Sequence, residues 1–218
     1  KKIAKLSLVA AVAVAGLTTA NAQPLEEAIK NVDVSGSVVY RYNDYNDNDL
    51  GSQANASSTN NYYKVAVNLS SKVNDDVKFN SRVLVGDAAG DFAAGGLDTQ
   101  GGNDANPTLA LSHANFAYTG IKNTTVLAGK QGLTTPWTVA IDSDGNEQTG
   151  TGILALSTVG PVTLAGAYFN QTNLNESGDV KTTLNSLANT NVGNNDIATV
   201  GTIANLGLIT LDAWYLDM

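Results

Sequence analysis

From Asp33 onward the chain alternates apolar and polar residues with a period of two, which is the signature of strands with two different faces. VDVSGSVVYRYN puts Val34, Val38, Tyr40 and Tyr42 on one face, and Ser35, Ser37 and Arg41 on the other. NYYKVAVNLS sets Tyr63, Val65, Val67 and Leu69 against Lys64, Asn68 and Ser70. VKFNSRVLV sets Val77, Phe79, Val83 and Val85 against Lys78, Asn80 and Arg82. Val39 and Leu84 are apolar exceptions on the polar face. Weaker alternation follows in LALSHANFAYT, TTVLAGKQ, GILALST, VTLAGAYFN, IATVGTIAN and LITLDAWYL. The pattern predicts about nine strands of roughly 8–11 residues, and a tilted strand needs ~9–11 to cross a membrane.

The connections alternate in length. Asp44–Asn60, Gly86–Pro107, Gly132–Gly150 and Gln171–Asn195 are long. Ser71–Asp76, Gly120–Asn123, Val159–Pro161 and Asn205–Gly207 are short. Short turns on one side and long loops on the other are the rhythm of an outer-membrane barrel. A soluble sandwich has no reason to keep it. The fold class expected is therefore all-β, an antiparallel transmembrane β-barrel.

Charge placement agrees. In the first three strands every Lys and Arg (Arg41, Lys64, Lys78, Arg82) falls on the polar face, while most acids lie in or beside long loops. A cationic side chain facing lipid at the midplane costs ~2–4 kcal/mol, so the charged face must be a wet one. His113, the one histidine, is expected on that face too.

The first 22 residues carry a different message. Lys1, Lys2 and Lys5 precede the apolar run LSLVAAVAVA, and Ala20-Asn21-Ala22 is an A-x-A cleavage site. This is a secretory signal peptide, too short for a membrane-spanning helix. A short helix, PLEEAIK, is expected just after it, with Pro24 at its first position. The domain reading is 1–22 signal peptide and 23–218 the N-terminal part of an outer-membrane β-barrel. Without the signal's three lysines, nine basic residues face 20 acidic ones, a net charge of −11. An acidic exported chain does not suit nucleic-acid binding. With no cysteine and one histidine, no Cys/His metal cluster can form. No G-x-S-x-G occurs, and no enzyme activity is expected.

KLSLVAA, PLEEAIKNVDVSGSVVYRY and NFAYTGIKNTTVLAGKQGLTTPWTVAID resemble the major outer membrane porin family of Campylobacter and its relatives. The resemblance spans about the first half of a family member. It implies a barrel in the outer membrane of a Gram-negative bacterium, in contact with lipid, assembled as a homotrimer, and passing ions and small hydrophilic solutes. Nine is an odd strand count, and single-chain bacterial barrels use even numbers. Further strands beyond Met218 are therefore expected.

In porins of this kind the loop after TTVLAGKQ folds back into the barrel. The resemblance places TTPWTVAIDSDGNEQ there, with Trp137 against the inner wall. Asp142, Asp144 and Glu147 would then face Arg41, Lys64, Lys78, Arg82 and Lys130 across the lumen, forming a constriction. Read from residues alone, SDGNEQ is also ordinary turn chemistry. No cofactor is required. The family's constriction can carry calcium, and Asp142 in VAID matches its acidic position. Opposed charges in a narrow pore set ion preference, and the acidic excess points to modest cation preference. The other reading is a surface barrel whose polar loops bind host or matrix with no open pore.

Overall fold

The computed structural model describes residues 31–47, 56–86, 108–138, 140–141, 147–174, 193 and 195–218. The expected signal peptide, the expected PLEEAIK helix, and Asp142 and Asp144 lie outside the described residues.

Nine strands follow in chain order: β1 (Val32–Asp47), β2 (Ala56–Lys72), β3 (Val77–Gly86), β4 (Thr108–Ile121), β5 (Thr124–Gly132), β6 (Thr149–Val159), β7 (Val162–Thr172), β8 (Ile197–Asn205) and β9 (Thr210–Asp217). They form one antiparallel sheet in the order β1-β2-β3-β4-β5-β6-β7-β8-β9. Every strand pairs with its sequence neighbour, so all short turns fall at one end and all long connections at the other. β1 and β9 are edges, as in a portion of a barrel.

The expected strands are present, but three are longer than expected. β1, β2 and β4 have 16, 17 and 14 residues. The first long loop is mostly hairpin: Asp44 pairs with Thr59 and Asp47 with Ala56. Polar residues can extend a strand past the bilayer, because the ladder satisfies the backbone whatever the side chains are.

The register joins the apolar faces into one surface. Val34 lies opposite Leu69, Val38 opposite Val65, and Tyr40 opposite Tyr63. Val67 continues to Val83, and Phe79 to Phe116. Phe79 and Phe116 touch with ring centroids 5.2 Å apart. No second sheet covers this face among the described residues, and Val34, Val38, Tyr40 and Leu109 are strongly exposed. It is the face for lipid.

A bulge in β4 keeps this face continuous. Arg82 pairs with His113 and Val83 with Leu111, leaving Ser112 as the extra residue. The outward residues of β4 thus change phase, from Leu109 and Leu111 to Ala114 and Phe116. At the short-turn end, Lys122-Asn123 makes a two-residue hairpin with Asn123 at φ 57°, a turn geometry that favours Asn. Gly201 pairs with Trp214, and a Cβ at Gly201 would run into the indole. The bare backbone is what lets the ring lie across β8.

Val67→Arg, on the outward face, should lower unfolding stability in lipid vesicles by about 2–4 kcal/mol, whereas Ser37→Arg, on the opposite face, should change it by less than about 1 kcal/mol. Denaturant titration of the folded protein in vesicles measures both. Equal costs would mean that the faces are wrongly assigned.

Candidate functional site: the β5–β6 loop on the inner wall

The face opposite the lipid surface is polar from β1 to β4. Its side chains form a hydrogen-bonded lattice across strands. Asn68 Nδ2 donates to Ser35 Oγ at 3.3 Å. Ser70 Oγ donates to Asn80 Oδ1 at 2.9 Å. Asn80 Nδ2 donates to Asn115 Oδ1 at 3.3 Å. Arg82 Nη1 donates to Asn68 Oδ1 at 2.8 Å.

The connection from β5 to β6 folds over this face. Its two ends are zipped together: Leu133 N–H donates to Gln148 O at 2.8 Å, and Gln148 N–H to Ala140 O at 3.0 Å. Thr135 and Thr138 bridge a tight turn, and Ile141 bridges Glu147. Asn173 braces the base, donating through Nδ2 to Glu147 O at 2.6 Å and accepting from Thr149 N–H at 2.7 Å.

Two contacts hold the loop to the wall. The first is ionic. Glu147 is 2% exposed and its carboxylate meets Arg82 in a fork. Arg82 Nη2 and Nε donate to Oε1 at 2.6 and 2.9 Å, and Nε reaches Oε2 at 3.0 Å. Lys64 Nζ stands 3.6 Å from Oε1, and Ser112 Oγ donates to Oε2. The second contact is apolar. Leu133, Phe169, Leu174 and Ile197 form a buried cluster, with Trp137, Leu154, Ala167 and Leu216 packed on it. Trp137 meets Trp214 edge-on, with ring centroids 6.3 Å apart and planes at 83°.

Burial alone would raise the pKa of the Glu147 carboxyl. Hydrogen bonds from Arg82 and Ser112, and the charges of Arg82 and Lys64, outweigh it and hold the pKa below its ordinary value. The carboxylate is therefore ionised at neutral pH.

These placements revise two sequence expectations. Glu147 does not look across a gap at the basic wall; it is in contact with it. Opposite charges leaving water together satisfy each other only at hydrogen-bonding distance. Lys130 is not part of that wall. It pairs with Ala114, in the outward row, while Leu127 and Gln131 on the same strand line the inner side. Its ammonium donates to Leu111 O at 2.7 Å. Lying two residues from the long-loop end of β5, it can snorkel toward the rim. Arg41, Lys64, Lys78 and Arg82 share the inner face by register, and His113 joins them opposite Arg82.

The described residues contain no group of three or more His, Asp or Glu able to hold a metal, and the Glu147 oxygens are taken by Arg82, Lys64 and Ser112. Asp142, the acid matched to the family's calcium position, lies outside the described residues.

A two-faced antiparallel sheet with consecutive pairing, short turns at one end and an inward loop defines a porin-type outer-membrane barrel. The model of the Campylobacter major outer membrane protein family matches residues 1–216, and the chain belongs to that family. It is thus an outer-membrane protein. No curated protein matches the chain. Solved structures with the same fold include Pseudomonas aeruginosa OccK9 (OpdG), at 15% identity and TM-score 0.56, covering 87% of this chain and 51% of that one. P. aeruginosa OccK2 (OpdF), solved with glucuronate, is similar at 10% identity and TM-score 0.55, over 86% and 46%. A BenF-like porin from P. fluorescens Pf-5 is similar at 13% identity and TM-score 0.52, over 86% and 49%. The chain thus spans about half the length of these porins.

Because the folded-state pKa of Glu147 lies below that of a free glutamate (~4.3), its contribution is complete above that value and is lost as pH falls through the depressed one. Amide exchange at Leu133 and Gln148 should stay slow from pH 7 to 5, after correction for intrinsic rates, and rise only in stronger acid. Glu147→Gln should speed it by roughly tenfold or more already at pH 7, since a buried pair is broken from one side. Unchanged protection in Glu147→Gln would show that the ionic contact does not hold the loop.

Proposed function

We propose that the chain forms part of the wall, and the constriction, of a water-filled outer-membrane channel for passive diffusion of ions and small hydrophilic solutes. The observation that carries this reading is the β5–β6 loop fastened to the inner wall by Glu147 on β2–β4 and by Leu133 and Trp137 on β6–β9. A loop meant only to bind partners at the cell surface has no need of either contact. Family membership and the porin fold support the same reading. The protein acts as a channel and not as an enzyme, and a homotrimer is its proposed assembly.

Modest cation preference is part of the proposal. Negative charge beside a narrow aqueous path concentrates cations, and low-dielectric walls strengthen the effect. Glu147 is engaged by Arg82 and Lys64, so the preference rests on Asp142, Asp144 and the acidic excess of the chain, −8 as a whole and −11 without the expected signal.

In planar bilayers under a salt gradient, Asp142→Asn with Asp144→Asn should move the zero-current potential toward anion preference. The same changes at Asp98 and Asp104, in the β3–β4 connection, should move it less. The difference should shrink as salt rises, because the Debye length falls from ~10 Å at 0.1 M to ~3 Å at 1 M. Equal shifts from the two pairs would place the selectivity outside the β5–β6 loop.

A further inference from the structure

The inner wall changes character around the sheet. On β2–β4 it presents amides and charges. On β5–β9 the same face carries Leu127, Leu154, Leu156, Ala165, Ile203 and Trp214. The outward face of these strands is apolar as well, with Val126 and Ala128 on β5, Leu164 on β7 and Val200 on β8. Lipid accounts for the outward face. A simple water-filled lumen does not account for the inner one, since barrel interiors of this kind are polar.

The loop covers part of that surface with Leu133 and Trp137. The rest lines a cavity of about 580 Å³ between loop and wall. The cavity has two ends. Toward β7–β9 it is walled by Ala165, Phe169, Ile203 and Trp214; toward β3–β4 it meets Asn80, His113 and Asn115. The two amides are engaged with each other and with Lys130 O. The His113 ring makes no hydrogen bond among the described residues.

Small-molecule sites are typically clefts of ~300–1,000 Å³, mostly apolar with a few placed polar groups. A dry cavity of ~150 Å³ already holds benzene, so this one admits a solute of one or two rings. We propose that the cavity is a binding cleft for small ring-bearing solutes with a single hydrogen-bonding head. The ring lies on Leu154, Leu156 and Trp214, and the head meets His113. Leu133, Thr134, Thr135 and Ala140 roof the cleft, so solute retention and constriction share one element. This inference rests on the channel reading and adds a solute class to it.

Trp137 and Trp214 are the two tryptophans of the chain, and Trp214 lines the cleft. The probe is 4-nitrobenzyl alcohol, a neutral ring with one hydroxyl whose nitroaromatic group quenches indole emission on contact. Quenching of the folded protein should saturate, and benzyl alcohol should compete while glycerol should not. Leu154→Asn with Leu156→Asn should weaken the saturable part roughly tenfold, from lost apolar contact. Ala165→Phe, which fills the cleft and keeps the wall apolar, should weaken it similarly. Unheated gel mobility checks that each variant keeps its barrel. Linear quenching in the unmodified protein, competition by glycerol, or saturation unchanged in both folded variants would overturn the proposal. Bilayer conductance of the same preparations separates the two readings. Saturable binding without conductance leaves the cleft standing and sinks the channel, and conductance with linear quenching does the reverse.

Discussion

Every strand of this sheet must meet lipid on one face and something else on the other, and the remaining features follow from that demand. Lipid offers the backbone no hydrogen-bond partner, so strands can cross only as parts of a fully laddered sheet. The register supplies it, with nine strands paired to their neighbours. The demand also explains the bulge in β4. Ser112 and His113 are consecutive polar residues, and strict alternation would turn one of them toward lipid. The extra residue allows Ser112 to reach Glu147 while His113 stays opposite Arg82.

Once the faces are fixed, the β5–β6 loop has a defined surface to bind. Its attachment combines two kinds of interaction of different reach. The Glu147 carboxylate, forked by Arg82, is short-ranged and geometrically strict. Trp137 against Trp214 and the Leu133–Phe169–Leu174–Ile197 cluster is broad and tolerant of small shifts. Polar attachment on one side and apolar attachment on the other stretch the loop across the wall and leave a cavity beneath it.

Much of the fold was legible in the sequence because the constraint acts residue by residue. Val34, Val38, Val65 and Val83 announce a lipid face, and Lys64 and Arg82 its opposite. The rhythm of long and short connections gave the pairing order. The phase change from Leu111 to Ala114 also marks the bulge. Lys130 faces outward where the basic wall was expected to include it, because both faces of TTVLAGKQ are apolar and parity gives no answer there. Glu147 lies between β5 and β6, but its partners belong to strands 35 to 83 residues away in sequence, and no local pattern encodes such a contact. Leu174 and Trp214 joined the apolar attachment for the same reason. A lumen-facing tryptophan looks no different in sequence from a rim tryptophan.

The central claim is that the β5–β6 loop lies in the aqueous path. The chain has no cysteine, so a thiol introduced at exposed Thr134, within the loop, can be modified during a bilayer recording. A bulky, charged methanethiosulfonate should lower single-channel conductance in a discrete step at Thr134→Cys. The same reagent at Leu208→Cys, in the fully exposed short turn between β8 and β9, should leave it nearly unchanged. Conductance untouched by modification at Thr134→Cys would contradict the account, because a loop that can take such a group without narrowing the path does not lie in it.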